Sequence, residues 1–307
     1  MSSFLEKLYT LGISPDQVEQ NAPMSNYTTF RVGGPADYLI HFSNPGQLSD
    51  VVSFIKSEKL PLYTIGNGSN LLVRDGGIRG VVLRIASMWN NVSVYNKNIL
   101  IANSGITLSS LAQFAAANGL SGLEPISGIP GTLGGAITMN AGAYGREISE
   151  CLSDVTYYSP ADNQMHRDKC EDLDFSYRHS AFENSDRIII SASLTLTPGD
   201  PATIREEMQS FAIKRREKQP LEYPSAGSTF KRPAGAFAAK LIDDSGLRGY
   251  RIGDAQVSEK HCGFVVNRGH ATASEILTLM AHVKEVVHDR TGYTLEPEVR
   301  ILGEDLP

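Results

Sequence analysis

The most informative stretch of the chain reads Ser127-Gly128-Ile129-Pro130-Gly131-Thr132-Leu133-Gly134-Gly135-Ala136 and resumes shortly afterwards as Met139-Asn140-Ala141-Gly142-Ala143-Tyr144-Gly145. Residues 119–145 contain eight of the 28 glycines in the chain. Glycine permits a backbone with φ > 0 and lets a ligand approach N–H groups with no Cβ in the way. Apolar side chains alternate with these glycines, which is not typical of a flexible linker. The pattern favours a buried loop against a large, phosphate-bearing cofactor; the alternative is a tight structural crossing of strands.

A second glycine-containing segment follows a short apolar run at residues 62–65 and reads Gly66-Asn67-Gly68-Ser69-Asn70. A strand followed by Gly-x-Gly resembles the start of a dinucleotide fingerprint, but the third glycine position is Leu71 and no long helix is indicated after it. Successive N–H groups, with the Ser69 and Asn70 side chains, can still hold a pyrophosphate without a helix dipole. An ordinary turn is the alternative. Paired with the first stretch, the phosphate interpretation is favoured.

The bulk properties describe an ordinary globular protein. The chain has 307 residues, 41% of them apolar and 20% charged, which is enough for two or three domains. A net charge of −6 argues against a nucleic-acid binder. The chain shows no apolar run of membrane-spanning length and no signal peptide, so no membrane partner is expected. Three cysteines without C-x-x-C spacing indicate free thiols and a cytoplasmic location, and the histidines show no metal-ligand motif.

Local signals place helices and strands along a mixed sequence of both. Thr107 is a candidate N-cap for a helix that Gly119 ends, and Asn44 precedes another helix. A capping box from Thr272 to Glu275 begins a later helix, and Gly292 is placed to end it. A final strand is expected over residues 293–302. The densest turn signal, at residues 197–201, is the predicted domain boundary.

Four further segments carry candidate chemistry. Arg178 follows an apolar-aromatic run and could grip a carboxylate or stabilise an enolate, although a solvated edge charge is the commoner case. His179 shows no partner in the sequence. Ser228 lies among small residues flanked by cations, which fits an anionic substrate or a basic surface loop equally well. Glu298 lies on a predicted strand beside Val299 and Ile301, where it is either a partly desolvated carboxylate suited to proton chemistry or an exposed edge-strand residue. Lys218 ends a helix that is basic at its end.

Taken together, these segments resemble the UDP-N-acetylenolpyruvoylglucosamine reductases, flavoenzymes of peptidoglycan precursor synthesis. The resemblance covers most of the chain. It rests on segments at residues 26–36, 65–73, 128–145, 176–178, 227–231, 255–258 and 295–300, all in the family's order. It implies an α+β fold: a two-lobed FAD-binding domain of the vanillyl-alcohol-oxidase type at 1–199 (lobes roughly 1–90 and 91–199) and an α+β substrate-binding domain at 200–307.

The resemblance also implies roles for individual residues. Arg178, Ser228 and Glu298 match the family's catalytic positions. Tyr177, Lys218, Lys231 and Arg232 are expected to bind the substrate, Arg232 standing where some relatives have Asn. The residues expected to bind the cofactor are Gly66, Asn67, Gly68, Ser69, Asn70, Gly128, Ile129, Pro130, Gly131, Gly134, Gly135, Asn140, Ala141 and Gly142.

The implied reaction is the NADPH-dependent reduction, through FAD, of the enolpyruvyl group of a UDP-sugar to a lactyl ether, giving UDP-N-acetylmuramate. NADPH rather than NADH rests on the resemblance alone. One branch of the family has an insertion after the Tyr-Arg motif with a tyrosine that closes over the substrate. Here a strand is expected about ten residues after Arg178, so the chain resembles the branch without that lid. Two alternatives stay open, a flavin oxidase of the same fold and a non-catalytic sugar-nucleotide binding module. No oligomeric state is implied, and a monomer is compatible with the sequence.

Overall fold

The structure, a computed structural model, describes residues 3–85 and 89–306; Met1, Ser2, residues 86–88 and Pro307 lie outside the described residues. The chain forms two compact units. The first comprises residues up to 20, then 38–67 and 80–213. The second comprises residues 21–37, 68–79 and 214 onwards.

Within the described ranges the α-helices are α1 (Ser3–Thr10), α2 (Leu48–Ser57), α3 (Leu108–Ala117), α4 (Leu133–Thr138), α5 (Pro201–Lys218), α6 (Ala238–Asp244) and α7 (Ala273–Thr291). The strands are β1 (Val18–Pro23), β2 (Pro35–His41), β3 (Leu62–Ile65), β4 (Leu71–Val73), β5 (Ile78–Arg84), β6 (Val92–Tyr95), β7 (Ile99–Asn103), β8 (Leu120–Ser121), β9 (Gly142–Ala143), β10 (Arg146–Glu147), β11 (Leu152–Ser159), β12 (Gln164–Lys169), β13 (Ile188–Thr195), β14 (Thr197–Pro198), β15 (Arg251–Ile252), β16 (Ala255–Val257), β17 (Val265–Asn267) and β18 (Arg300–Leu302). The mixture of helices and mostly antiparallel strands confirms the predicted α+β class.

The first unit is built around a five-stranded antiparallel sheet in the order β12-β11-β13-β7-β6. A second sheet, in the order β1-β2-β5-β3, has most of its residues in this unit, and its β3 and β5 run parallel. Helices α3 and α4 share one apolar core with the five-stranded sheet, where Leu111, Leu133 and Leu194 are fully buried. The glycine-rich stretch, which leads into α4, therefore lies beside this core.

The second unit packs α6 and α7 with the sheet β15-β16-β17 and the parallel pair β18-β4. Two short segments from the first third of the chain belong to it because Phe30 and Leu72, both fully buried, complete the core that Val283 and Leu295 line. These compact units divide the chain differently from the predicted boundary at 199/200, since they also draw on early segments. The functional domains named from the sequence stay a prediction.

Most of the helix signals are confirmed. Thr107 accepts a hydrogen bond from the Ser110 N–H, and the capping box of Thr272 and Glu275 forms at α7, which ends at a left-handed Gly292. The predicted strand over residues 293–302 is wrong in extent, because only Arg300–Leu302 forms a strand, β18. Pro297 forms an isolated bridge with Phe230 that does not extend into a ladder. Helix α4 was not predicted, because glycines disfavour helix interiors.

Helix α7 also has a cap from outside its own sequence. The Asp75 carboxylate accepts hydrogen bonds from the N–H groups of Ala273 and Ser274, both at 2.8 Å. These are two of the N–H groups that a helix leaves without an internal partner. A negative charge is also favourable at a helix N-terminus. Asp75 therefore fastens an early segment of the chain to the principal helix of the second unit.

We expect Asp75→Asn to lower the free energy of unfolding by about 1–2 kcal/mol, since one acceptor oxygen and the charge are lost. Asp289→Asn removes the same charge from the opposite, C-terminal end of α7 and serves as the control. Urea unfolding monitored by circular dichroism measures both variants. An Asp75→Asn protein as stable as the Asp289→Asn protein would contradict the capping role.

Candidate active site

Within the first unit, Gly66 and Asn67 lie against residues 130–132 of the other glycine-containing segment. The side-chain amide of Asn67 donates a hydrogen bond to the Pro130 carbonyl at 3.2 Å. A Cβ at Gly66 would overlap Thr132 Oγ1, so no larger residue fits there without displacing the second segment. Glycine at position 66 is therefore required by a close approach of the two segments.

The N–H groups of these segments are available to a ligand. Within residues 3–85 and 89–306, the N–H groups of Gly66, Asn67, Gly131 and Thr132 donate no hydrogen bond, although Gly131 and Thr132 are buried. Buried N–H groups without a partner are rare in native structures. Adjoining N–H groups that are not used within the protein suit the oxygens of a phosphate. The residues present therefore fit the pyrophosphate of a dinucleotide cofactor.

The glycine-rich segment is held in place from behind. Leu108 N donates to the Gly131 carbonyl at 3.0 Å, and Gly134 N donates to the Ser104 carbonyl at 2.8 Å. Gly135 N donates to Thr132 Oγ1, which caps α4. The N–H groups of Gly134 and Gly135 are thus engaged within the protein. Their direct contact with a cofactor stays a prediction, as it does for Gly128 and Ile129.

Asn140 connects three segments of the first unit. Its side-chain NH₂ donates to Glu147 Oε2 at 2.8 Å and to the Ser176 carbonyl at 2.9 Å, and its Oδ1 accepts from Ser149 N at 3.2 Å. The side chain is 1% exposed and its two donors are used, so its observed function is to position the neighbouring segments. Asn140, Ala141 and Gly142 stay predicted, not observed, as cofactor contacts.

Arg178 lies in a two-residue hairpin that Asn140 supports. Ser176 and His179 exchange N–H···O hydrogen bonds of 3.0 and 3.2 Å, which leaves Tyr177 and Arg178 at the tip. Arg178 has φ = +57°, a conformation that is uncommon for a residue with a side chain. Its guanidinium donates to the Gly142 carbonyl at 3.2 Å and lies 5.0 Å from the Tyr177 ring centroid. A strained backbone held by its surroundings is typical of functional positions.

His179 has the partners that the sequence did not reveal. Its Nδ1 lies 2.7 Å from Glu183 Oε2, and its Nε2 lies 3.2 Å from Asp174 Oδ2. The hydrogen bond to Glu183, and then the one to Asp174, raise the pKa of His179 above its ordinary value. Because carboxylates accept hydrogen bonds, these two contacts favour the protonated imidazole, which braces the hairpin through both ring nitrogens. The i,i+4 spacing to Glu183 was the signal available in the sequence.

In the second unit, the segments that contain Ser228 and Glu298 are paired. Glu298 N donates to the Thr229 carbonyl and Lys231 N donates to the Glu296 carbonyl, both at 2.8 Å. Thr229 is fully buried, and its Oγ1 accepts from Val265 N at 2.8 Å. The two candidate catalytic residues are each half-buried beside this anchored pairing.

Two further residues shape this part of the second unit. Asn70 joins it through its side-chain amide, which donates to the Glu298 carbonyl at 3.1 Å. Gly227, with φ = +76°, allows the turn into Ser228. Three motifs that are far apart in the sequence, at residues 70, 228 and 298, are therefore neighbours in the fold.

The predicted substrate-binding cations are distributed along the surface of the second unit. Lys218 is exposed at the end of α5, and Lys231 is half-buried next to the paired segments. The Arg232 guanidinium lies 4.6 Å from the ring centroid of Phe237, whose side chain is itself exposed. These positions are compatible with binding an anionic ligand, and the assignment stays a prediction.

Comparisons with known proteins identify the family. The family model described as the FAD binding domain matches residues 36–167, and the one described as the UDP-N-acetylenolpyruvoylglucosamine reductase C-terminal domain matches residues 219–302. The UDP-N-acetylenolpyruvoylglucosamine reductase of Agathobacter rectalis is 48% identical, with 99% of this chain and 98% of that protein covered. The chain belongs to this family.

Solved structures agree with that membership. The reductase of the same family from Thermus caldophilus superimposes with a TM-score of 0.78 at 34% identity, over 93% of this chain and 98% of that one. An alkyldihydroxyacetonephosphate synthase matches with a TM-score of 0.52 at 14% identity, over 97% of this chain and 61% of that one. The second likeness shows the fold alone. Together with the match to the FAD binding domain, it agrees with the predicted fold class. Among the described residues, no helix has the length and apolar character needed to cross a membrane.

We expect Gly66→Ala to weaken FAD binding roughly tenfold to hundredfold, because the new methyl group pushes the two glycine-containing segments apart. Gly199→Ala is the control, since its Cβ would meet no atom closer than 3.4 Å. The flavin-to-protein absorbance ratio and a fluorescence titration of the FAD-free protein measure the effect. Full flavin content in Gly66→Ala would show that the contact of the two segments does not support the cofactor.

Because His179 contacts two carboxylates in the folded protein, the stability of the protein should depend on pH. Because the folded pKa of His179 is raised, its stabilisation is complete below the unfolded pKa of about 6.5 and is lost as the pH rises through the folded value. The midpoint temperature of thermal unfolding should therefore be lower for His179→Gln than for the parent protein below neutral pH, and the two values should converge at alkaline pH. In Glu183→Gln the pH range over which the stabilisation by His179 is lost should move to lower pH. A difference between parent and His179→Gln that is constant with pH would contradict the brace.

Proposed function

We propose that this protein reduces the enolpyruvyl group of UDP-N-acetylglucosamine enolpyruvate to the lactyl ether of UDP-N-acetylmuramate, with NADPH as hydride donor, in peptidoglycan precursor synthesis. The observation that carries the proposal is family membership over 99% of the chain at 48% identity. The available N–H groups beside Gly66 and Gly131 support an FAD-dependent oxidoreductase. The small-molecule UDP-sugar is the substrate class that the family relationship supports.

Bound FAD supplies the route by which a hydride from NADPH reaches the β-carbon of the enol ether. The protein must then stabilise the negative charge that develops on the substrate carboxylate. We assign that task to the guanidinium of Arg178 and to a protonated Glu298, because a guanidinium and a carboxylic acid can both donate toward an oxyanion. Guanidinium stays charged at any physiological pH, which makes it a constant electrostatic partner.

Ser228 is assigned the proton that completes the reduction at the α-carbon. A hydroxyl is a weak acid, but an enolate is basic enough to take its proton. Its position after Gly227 and before the buried Thr229 supports this role, because the anchored neighbour limits the movement of the serine. We assign Tyr177, Lys218, Lys231 and Arg232 to the substrate, with the cations facing its diphosphate. Arg178, Ser228 and Glu298 have a joint task in this reaction and none in a binding module.

Domain roles and location form part of the same proposal. The two family models support an N-terminal domain for the cofactor and a C-terminal domain for the substrate, as expected for residues 1–199 and 200–307. The three cysteines, Cys151, Cys170 and Cys262, are unpaired in the structure. Free thiols support a reducing, cytoplasmic compartment.

The test concerns Ser228, because its replacement separates the two half-reactions. In Ser228→Ala, reduction of the flavin by NADPH should proceed at nearly the parental rate. Reoxidation by the enolpyruvyl substrate should slow roughly 10²–10⁴-fold, the usual contribution of a positioned general acid. Anaerobic stopped-flow absorbance of the flavin follows each step.

Ser225→Ala is the matched control, because the only hydrogen bond described for Ser225 uses its backbone carbonyl and survives the change. Ser228→Cys should recover part of the lost rate, since a thiol can also release a proton. A Ser228→Ala enzyme whose reoxidation ran at the parental rate would remove Ser228 from the mechanism. Flavin reoxidation by oxygen alone, with no response to the UDP-sugar, would favour an oxidase instead.

A further inference from the structure

An open depression on the second unit is lined by Ser25, Asn26, Thr28 and Arg31. This lining contains a guanidinium, two hydroxyls and an amide, all of which can donate hydrogen bonds, and it contains no carboxylate. A depression with this lining favours an anion. None of these residues was assigned a role from the sequence or in the proposed reaction.

Arg31 is fixed in place by its neighbours. Thr28 Oγ1 donates to the Val32 carbonyl at 3.0 Å, and Arg31 N donates to the Thr28 carbonyl at 3.1 Å, which closes a tight turn. Phe30 and Val32 on either side are buried in the core, so the Arg31 side chain is held outward between two anchors. Its φ of +55° is a strained backbone conformation for a residue with a side chain.

Three of the four side chains that line the depression have no hydrogen-bond partner among the described residues. Across residues 3–85 and 89–306, neither the Arg31 guanidinium nor the side chains of Ser25 and Asn26 make a hydrogen bond or ion pair. Other arginines of this unit are neutralised, Arg74 by Asp305 and Arg79 by Asp37. An unneutralised guanidinium beside two unused polar groups can accept an anionic ligand without first breaking an ion pair.

The turn that holds Arg31 packs directly on the loop of residues 68–70. Thr29 N donates to the Gly68 carbonyl at 3.3 Å, and a Cβ at Gly68 would overlap the Tyr27 carbonyl. The N–H groups of Gly68, Ser69 and Asn70 donate no hydrogen bond within the described part of the chain. This loop leads into strand β4 rather than a helix, so no helix dipole adds positive potential.

We propose that Arg31, with Ser25 and Asn26, supplies the positive charge for a pyrophosphate bound on the loop of residues 68–70, that of the FAD cofactor. The inference rests on the FAD assignment of the proposed function. It adds the residue whose positive charge balances the negative charge of the pyrophosphate. Loop N–H groups provide only partial charges, whereas a pyrophosphate carries two negative charges. A guanidinium can meet two of its oxygens at once.

The test measures binding of FAD to the FAD-free protein by quenching of flavin fluorescence, independently of turnover. Arg31→Gln should raise the Kd for FAD roughly tenfold to hundredfold, the range for a hydrogen bond to a charged group. Arg31→Lys keeps the positive charge but loses the planar guanidinium, so its Kd for FAD should lie between those of the parent protein and Arg31→Gln. The Kd of the parent protein should also rise more steeply with NaCl concentration than that of Arg31→Gln. Arg251→Gln is the control, because Arg251 is an exposed arginine of the same unit already paired with Asp254.

The remaining outcomes separate the possible sources of phosphate. An unchanged Kd for FAD with a raised KM for the UDP-sugar or for NADPH would overturn the cofactor assignment, because the depression would then bind that nucleotide. An unchanged Kd and unchanged KM values would show that the depression binds no phosphate. If Arg31→Gln folds poorly, Arg31→Gly keeps the left-handed backbone while removing the guanidinium, and the same predictions apply. If the parent binds FAD but does not reduce the UDP-sugar, the proposed function fails and the Arg31 result stands.

Discussion

The direct contact between backbone segments at Gly66 and Thr132 is the constraint on which the candidate site depends. A ligand-facing N–H can serve a phosphate only if no side chain covers it and if the peptide unit cannot rotate away. The first condition requires glycine or a side chain directed elsewhere. The second is met by the hydrogen bonds from Leu108 N to the Gly131 carbonyl and from Leu133 N to the Ile106 carbonyl. Because these bonds hold the segment from the protein side, its N–H groups are ordered before a ligand arrives, which reduces the entropic cost of binding.

The side-chain amide of Asn140 connects the glycine-rich segment to the hairpin that contains Arg178. The side chain of Asn140 makes hydrogen bonds to two other segments: to Glu147 and Ser149 in one, and to the Ser176 carbonyl at the base of the Arg178 hairpin in the other. The left-handed backbone at Arg178 costs roughly 1–3 kcal/mol and persists only where the surroundings over-determine it. The paired Ser176 and His179 backbones and the guanidinium contact with Gly142 provide that support. Arg178 is therefore positioned by the same glycine-rich region that contains the unused N–H groups of Gly131 and Thr132.

The sequence allowed good prediction wherever the cause of a structure was local. The caps at Thr107 and Thr272 and the left-handed stop at Gly292 depend on side chains within three or four residues of the helix end. Asp75 could not be recognised as a cap, because its helix begins almost 200 residues later. The contact of residue 66 with residue 132 has the same non-local character.

Prediction of the candidate site residues was limited in the same way, because contacts between distant parts of the chain cannot be read from the sequence. The catalytic candidates were found through resemblance, since nothing near Ser228 or Glu298 in the sequence indicates that their backbones pair. His179 was misjudged as unpartnered although Glu183 stands one helical turn away in the sequence. Helix α4 was missed because capping by Thr132 and packing against Ser104 outweigh the low helix propensity of its two glycines.

For anion binding, whether each individual cation is already in an ion pair matters more than the net charge of the chain. A net charge of −6 predicts weak attraction for anions, yet the proposed ligands are all nucleotides with several negative charges. Most exposed carboxylates act only locally, because the Debye length at physiological salt is about 8 Å. Arginines that already hold a carboxylate, such as Arg74 with Asp305, contribute little to the potential that a phosphate experiences. In the described part of the chain Arg31 holds no carboxylate, and it is presented on a turn that its buried neighbours Phe30 and Val32 keep rigid. An acidic protein can bind a pyrophosphate through one such residue, because the local pairing of each cation, and not the sum of charges, sets the field at the ligand.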